Sequence, residues 1–271
     1  MSGTQPEKID EPDVLPAPEF VADPAGLDEL LQAIRGVRAI GVDTEADSFY
    51  SYKEKVCLIQ VTADGRDFLV DPFADLDLAP LGEVFADPAI IKILHDGEFD
   101  VTILAREYGF RFRNLFDTRV AAAALGFQSP GLAAVLERYF GLELDKSEQR
   151  SDWSRRPLTD SQIAYARLDT RYLVPLMDRM RADLEEAGRL AVLTGECERL
   201  ATMEVVERSF DPEGYQRIKG ARRLSGLEAQ VLRGLFVLRD RLAAERDVPP
   251  FKVLGNDTLM TLAQRMPESP G

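Results

Sequence analysis

The sequence predicts an α/β domain built on a mixed sheet with flanking helices, followed by an all-helical C-terminal region. Three apolar runs rich in β-branched residues lie between residues 39 and 72, with polar turns between them, which is typical of neighbouring strands. A further apolar run of strand length, residues 90–95, precedes a helical pattern. Beyond it the apolar spacing is helical almost to the end of the chain, so strands come first and helices later.

The elements of the predicted sheet region can be placed from their ends. Asp23 and Pro24 form a good N-cap and first residue for a helix that we expect to reach about Gly36. The patterns then predict three strands, a short helix and a fourth strand, over AIGVDTEA, VCLIQVTA, FLVDP, LAPLGEVFA and IIKILH in that order. Four strands therefore make up the predicted sheet.

Helices predominate after an Asp-Gly pair ends the fourth strand. Helical spacing is seen in EFDVTILAREY, TRVAAAALG and GLAAVLERYF, and the polar segment DKSEQRSDWSRRPL then predicts a loop. Thr159 is expected to cap a long helix that Pro175 should kink or divide. The chain is helical again from about Ala187, and we expect the domain boundary at roughly residues 185–215, with residues 211–214 as the linker.

Composition excludes several classes of protein. With 45 % apolar residues the chain can form a full core, and no uninterrupted apolar stretch reaches the ~18 residues of a membrane span, so no membrane partner is expected. The N-terminus lacks the basic and apolar segments of a secretory signal. Two cysteines without metal-binding spacing favour a reducing compartment, and we expect a cytoplasmic protein.

Charge is distributed unevenly along the chain. The net charge of −14 argues against a general nucleic-acid coat protein. Residues 1–22 are acidic and rich in proline, and we expect them to form a disordered, dispensable tail. Residues 215–246 instead carry Lys219 and seven arginines against three acids, a net of +5, so this segment could meet a polyanion.

Three groups of polar residues are candidates for chemistry. Asp43 and Glu45 are two residues apart on a predicted strand, so their side chains share one face of the sheet. Two negative charges this close favour binding of a hard divalent cation between them. The alternative is that Glu45 lies in water beyond the end of the strand. Asp100 stands in the first turn of a predicted helix, where an acid is common. Tyr165 and Asp169 are four apart and share one helix face. Each group alone is weak evidence for a metal site.

Together, in this order, the three groups resemble the signature of the DEDD superfamily of 3′–5′ exonucleases, and the tyrosine marks its DEDDy branch. The segment LDKSEQRSDWSRRPLTDSQIAYARLDTRYLVPL is very similar to ribonuclease D and its exosome-associated relatives, as are HDGEFD and NLFDT. The resemblance spans about residues 25–185 and implies a ribonuclease H-like mixed sheet, with the exonuclease domain over residues 23–210. One departure is Asp96, where relatives more often have a small residue.

The resemblance implies a metal-dependent 3′–5′ exoribonuclease that trims structured RNA such as tRNA precursors from a single-stranded 3′ end. Asp43, Glu45, Asp100 and Asp169 match the acids that bind two divalent ions, Mg²⁺ or Mn²⁺, and Tyr165 matches the tyrosine that orients the attacking water. We expect Asp43 to bridge the two ions. Two alternatives remain open: a DNA substrate, because no motif reads a 2′-hydroxyl, and a catalytically idle RNA-binding protein.

Several neighbouring residues have structural interpretations. The single histidine, His95, follows an apolar strand and is expected to be a partly buried structural residue. Asp117 in NLFDT should cap the helix that follows it. The single tryptophan, Trp153, should either pack over the edge of the active site or anchor its loop, and we favour the anchor. With one histidine and no GxSxG, a serine-type triad is not supported.

Nucleic-acid contacts are expected in two places. Residues 221–266 resemble the start of an HRDC domain, a helical nucleic-acid-binding module, and we assign residues 215–271 to a partial HRDC-like region. A base could stack on an aromatic ring beside the acids, and phosphates could meet basic residues of the loop or of this C-terminal region. The residues predicted to make these contacts are Phe99, Lys146, Arg150, Arg222 and Arg223.

Overall fold

A computed structural model describes residues 15–205 and 209–266 of the chain. The contacts divide it into two units: Met1–Ala46 with Val56–Val205, and Asp47–Lys55 with Val206–Gly271. The first unit holds the sheet and the second is mostly helical. Residues 1–14 of the predicted tail lie outside the described residues. In the part of the chain that is described, no helix is long and apolar enough to cross a membrane.

The first unit is built on one mixed sheet, as predicted. Its strand order is β1-β4-β3-β2-β5-β6, with β2, β3 and β4 antiparallel and the outer pairs parallel. The four strands predicted from periodicity are present, and β3 is buried along its whole length. The strands are β1 Glu19–Val21, β2 Ala39–Ala46, β3 Val56–Ala63, β4 Arg66–Val70, β5 Ile91–Leu94 and β6 Leu115–Asp117.

Two short strands were not predicted, and one of them corrects the boundary of the tail. Glu19–Val21 pairs with β4, and Val21 is 1 % exposed, so this stretch belongs to the sheet and is not part of a disordered tail. The Arg66 guanidinium also donates to the Glu19 carboxylate at 2.5 and 2.7 Å. β6 was missed for the same reason as β1: three residues are too few to show a period.

The helices of the first unit begin where the sequence places their caps. The Asp23 carboxylate accepts a hydrogen bond from Gly26 N at 2.8 Å, and Thr159 and Gln162 form a capping box. The predicted long helix is divided at Tyr172, so that Pro175 falls in the first turn of a new helix, where its missing N–H costs nothing. The helices are α1 Pro24–Ile34, α2 Ala79–Ala86, α3 Glu98–Tyr108, α4 Thr118–Ala124, α5 Leu132–Phe140, α6 Asp160–Arg171, α7 Leu173–Glu186 and α8 Leu190–Ala201.

Helix α6 lies against β2, β3 and β4, and a glycine permits its close approach to the sheet. A Cβ atom on Gly41 would stand 2.7 Å from the Thr170 carbonyl oxygen, which is closer than real Cβ contacts. The Thr170 and Thr62 hydroxyls also form a hydrogen bond of 2.7 Å. Helix and sheet are thereby held in contact at the end of α6.

The second unit is a small helical assembly with its own core of Ile218, Ala221, Leu232, Leu259 and Ala263. It contains α9 Gly226–Arg246, α10 Pro250–Val253, α11 Asn256–Arg265 and two short 3₁₀ helices, Pro212–Arg217 and Ala221–Arg223. The predicted linker, residues 211–214, is therefore wrong, because Asp211 caps the first of these 3₁₀ helices. Within this unit the Tyr52 hydroxyl of the loop Asp47–Lys55 donates to the Asp240 carboxylate at 2.9 Å.

Candidate active site

Strand β2 carries the first two acids. Asp43 and Glu45 are half-buried and project from the same face of the sheet, as their spacing predicts. Their partners across the antiparallel pair with β3 are Gln60 and Leu58. The alternative that Glu45 lies in water beyond the strand is wrong, because β2 continues through Ala46.

Helix α6 brings Tyr165 and Asp169 to these acids. Carboxylate oxygens of Asp43, Glu45 and Asp169 all lie within 4.8 Å of one another, although they belong to two elements more than a hundred residues apart in sequence. Tyr165 is half-buried one turn before Asp169 on the same helix. The structure thus places these four predicted site residues on one strand and the helix that packs on it.

Asp100 reaches the site from α3. Its side chain is 5 % exposed and accepts a hydrogen bond from the hydroxyl of Thr44, the residue between the two acids of β2. Asp100 is not one of the three acids grouped within 4.8 Å. It stands beside that group and is tied to it through Thr44.

Asp117 fixes the start of the helix that carries Asp100. Its carboxylate caps α4, as predicted, by accepting hydrogen bonds from Arg119 N at 2.8 Å and Val120 N at 3.1 Å. The same carboxylate accepts from Asp96 N at 3.2 Å and Gly97 N at 2.8 Å, immediately before α3. Sequence reasoning missed this second role, by which one carboxylate fixes the first turns of both α3 and α4.

The acids carry more negative charge than the protein around them neutralises. Burial raises the pKa of Asp43 well above its usual range, and the charges of Asp100, Asp169 and Glu45 raise it further. Burial and the neighbouring acids likewise raise the pKa of Glu45 to about 9 and that of Asp169 to about 7. For Asp100 burial raises the pKa to about 6, against the lowering effect of the Thr44 hydrogen bond.

This donor set fits hard divalent cations. All the candidate ligand atoms are carboxylate oxygens, which Mg²⁺ and Mn²⁺ prefer. A bound cation would offset both the burial of these acids, which raises their pKa values most, and the repulsion between them. Asp43, Glu45 and Asp169 are the residues that would hold an ion, and Asp100 lies close enough to their charges to contribute.

Tyr165 is held by the loop that precedes α6. Trp153 is 1 % exposed, and its ring lies 6.0 Å from that of Tyr165, in a cluster with Leu58 and Ala166. Trp153 is thus buried beneath its loop and also packs against the site tyrosine, which agrees with both interpretations of this residue. Burial, and then the charge of Asp169, raise the pKa of Tyr165 above its ordinary value. The phenol is therefore neutral at physiological pH.

Two basic or polar residues near the site have internal roles. His95 is half-buried, and its Nδ1 pairs with the Thr118 hydroxyl at 2.8 Å. Burial lowers the pKa of His95 to about 4, so it is a neutral structural residue, as expected. Arg156 donates to both Asp71 oxygens, at 2.7 and 2.8 Å, and to the Trp153 carbonyl at 2.8 Å, which leaves it committed to the loop.

The predicted nucleic-acid contacts fall in different parts of the molecule. Phe99 is 42 % exposed and adjoins Asp100 in the first turn of α3. Lys146 and Arg150 are exposed on the loop before α6, which borders a cavity of about 120 Å³ lined by Asp145, Ser147, Tyr165 and Asp169 among others. Arg222 and Arg223 are exposed in a 3₁₀ helix of the second unit.

Gln60 is a buried residue of the site that the sequence analysis did not single out. It is 0 % exposed, and neither its Nε2 nor its Oε1 has a hydrogen-bond partner among the described residues. Leaving such a group unsatisfied costs about 1–3 kcal/mol. The available signal was one amide inside the otherwise apolar run VCLIQV.

Two family matches cover most of the chain. A family described as 3′–5′ exonuclease matches residues 18–185, and the HRDC domain family matches residues 228–271. Ribonuclease D of Escherichia coli is 34 % identical over 254 residues, which cover 93 % of this chain and 68 % of that protein. The exosome complex component 10 homolog of Caenorhabditis elegans is 35 % identical over 249 residues, 90 % of this chain but 28 % of that protein.

Solved structures share the fold over nearly the whole chain. The catalytic core of RRP6 from Trypanosoma brucei superimposes with a TM-score of 0.87 at 28 % identity, covering 98 % of this chain and 75 % of that one. Escherichia coli RNase D, an exoribonuclease involved in structured RNA processing, gives a TM-score of 0.72 at 32 % identity, covering 94 % and 68 %. The chain spans less than a third of the length of the exosome component 10 proteins that it matches.

Proposed function

We propose that this chain, which belongs to the 3′–5′ exonuclease family and within it to the ribonuclease D-like proteins, is a divalent-metal-dependent 3′–5′ exoribonuclease. The observation that carries the proposal is the group of three carboxylates from β2 and α6 within 4.8 Å, with Tyr165 one turn from Asp169. A structural ion pair would need a basic side chain at that point, and among the described residues no basic group acts on the pKa values of Asp43, Glu45 or Asp169.

Each residue has a role that follows from its position. Two divalent ions, when bound, would polarise the phosphodiester and favour ionisation of the attacking water. Asp43, Glu45 and Asp169 would hold them. Asp100, oriented by Thr44, would complete the set from the α3 side.

Tyr165 would orient the attacking water by hydrogen bonding. Its raised pKa keeps the phenol protonated, so it donates or accepts a hydrogen bond and does not act as the base. Trp153 packs beside it and limits where the ring can stand. The phenol thus positions the water and does not take its proton.

We propose RNA with a single-stranded 3′ end as the substrate, including tRNA precursors or other structured RNA. The support is the likeness to ribonuclease D and the match of the C-terminal residues to the HRDC family. Arg222 and Arg223 also make no ion pair with any described residue, which leaves their charges available to phosphates. Both cysteines are buried free thiols, which favours a reducing, cytoplasmic location.

A direct test uses one RNA and one DNA of identical sequence, each labelled at the 5′ end, with a free or a blocked 3′ hydroxyl. We expect a ladder that shortens from the 3′ end in Mg²⁺ or Mn²⁺, with RNA preferred, and no products in EDTA. The Asp43→Asn variant is the matched control, because it removes one charge without changing size. Cleavage that persists in EDTA or in that variant would overturn the metal-dependent assignment, and equal cleavage of DNA would overturn the RNA preference.

A further inference from the structure

Gln60 lies next to Asp43 on the sheet. The two residues are direct partners in the antiparallel pair of β2 and β3, and Leu69 is the partner of Gln60 on β4. Directly opposed residues project from the same face, with Cβ atoms about 4.5–5.5 Å apart. The carboxamide of Gln60 therefore stands on the face of the sheet that carries the acids.

Along its strand face, Gln60 has Leu58 on one side and Thr62 on the other, and the Thr62 hydroxyl is already bonded to Asp67 and Thr170. Leu58 and Leu69 flank it on the same face, and together with Ala166 of α6 they belong to one buried apolar cluster. Gln60 is fully buried, and both polar atoms of its side chain lack a partner among the described residues. An apolar side chain of the same length would fill this space without leaving two polar atoms unsatisfied.

We propose that Gln60 is a positioning residue for Asp43: its Nε2 donates a hydrogen bond to the Asp43 carboxylate when the site holds its ions, and so fixes the orientation of that ligand. This inference rests on the proposed role of Asp43 as a metal ligand. Carboxylates that bind metals are commonly held by hydrogen bonds from neighbouring groups. A neutral amide can do this without competing for the ion, whereas a lysine or arginine at this place would neutralise the carboxylate itself.

The test compares Gln60→Met with Leu69→Met in the full chain. Both changes put the same side chain at buried positions on one line of the sheet, but only the first removes the amide. We measure Mn²⁺ affinity by titration calorimetry, the thermal midpoint in EDTA, and kcat and KM for RNA. Gln60→Leu serves as a second variant if Gln60→Met does not fold.

We expect the Gln60 variants to bind Mn²⁺ about 10–100-fold more weakly than wild type, with a thermal midpoint in EDTA that is unchanged or higher. Because only the ligand is misplaced, kcat at limiting Mn²⁺ should fall while KM for RNA stays within about twofold. Leu69→Met should leave Mn²⁺ affinity within about twofold of wild type.

Two results would overturn the inference, and they are distinguishable. Wild-type affinity for Mn²⁺ in the Gln60 variants, with a lower midpoint in EDTA, would make Gln60 a packing residue only and leave the proposed function intact. If the wild-type protein itself binds no Mn²⁺, and Asp43→Asn behaves identically, then the metal-dependent function fails and this inference fails with it.

Discussion

Replacing Asp169 by asparagine should stabilise the protein in the absence of metal while abolishing cleavage. Asparagine matches aspartate in size and removes one charge from the three-acid group. In EDTA at pH 8 the wild-type protein has to hold Asp169 ionised in a buried position close to the charge of Asp100. The variant removes that repulsion, and it also removes a ligand that the proposed reaction requires.

The size of the effect follows from the pKa of Asp169, which is raised from 3.8 to about 7 by burial and then by Asp100. Each unit corresponds to about 1.4 kcal/mol, so the upper bound is about 4 kcal/mol, and partial exposure with charge sharing sets a lower bound of about 2 kcal/mol. Because the pKa is raised in the folded state, this contribution to stability is complete below pH ~4 and is lost as the pH rises to ~7. The variant should therefore gain most at pH 8 and progressively less toward pH 5.

The assay is thermal unfolding in EDTA at pH 5.5 and pH 8, for wild type, Asp169→Asn and the control Asp160→Asn. Asp160 is an exposed acid in the first turn of the same helix, so its loss should be neutral or slightly destabilising. For Asp169→Asn we expect a midpoint at pH 8 higher by about 5–15 °C, with a smaller difference at pH 5.5. A variant no more stable than wild type at pH 8, or an equal gain at both pH values, would refute the reasoning.

Three further outcomes can be measured. Tyr165→Phe should lower kcat by about 10²-fold with unchanged Mn²⁺ affinity, because the phenol orients the water and binds no ion; a loss of Mn²⁺ binding would contradict this role. Replacing Arg222 and Arg223 by alanine should weaken RNA binding and reduce the slope of log affinity against log salt by about 0.7 per lost contact. The control Arg233→Ala breaks an ion pair with a glutamate and should leave this slope unchanged. An unaltered slope in the double variant would reject a contact between these arginines and RNA. Deleting residues 15–22 should lower the free energy of unfolding by about 2 kcal/mol or more in denaturant titrations, because a strand with a buried valine is lost, and a neutral deletion would show that this strand contributes nothing.

Much of the fold could be predicted from the hydrophobic periodicity of the elements and from the turn and capping residues at their ends. β2 and β3 have eight residues each and are bounded by turns, and a capping box marks the start of α6. The two strands and the beginning of this helix were therefore predicted correctly. β1 and β6, with three residues each, are too short to show an alternation and depend on pairing with neighbours distant in sequence. The pairing of a loop, Asp47–Lys55, with C-terminal helices is equally invisible to a local pattern.

The candidate site could be predicted only in part from the residues themselves. Residue spacing places Asp43 with Glu45 and Tyr165 with Asp169, but no local sequence pattern shows that α6 packs on β2. The two pairs were brought together only by the family resemblance. The fourth acid depends on a loop held by Asp117, whose bonds span about twenty residues of sequence. Gln60 lies inside an apolar run, and its relation to Asp43 appears only once the register of β2 and β3 is known.

The close approach of Gly41 to the Thr170 carbonyl has a consequence for how this protein can vary. Position 41 lies two residues before Asp43 and its backbone faces the helix residue that follows Asp169, so a single methyl group there would widen the gap between the two halves of the carboxylate group. Such a change alters no ligand and no charge, yet it would push α6 away from β2 and so separate Asp169 from Asp43 and Glu45. A Gly41→Ala allele is therefore expected to be conditional, tolerated when the temperature is low and divalent ions are abundant, and its suppressors should arise in α6, where a smaller Thr170 or a shifted helix end can close the gap again.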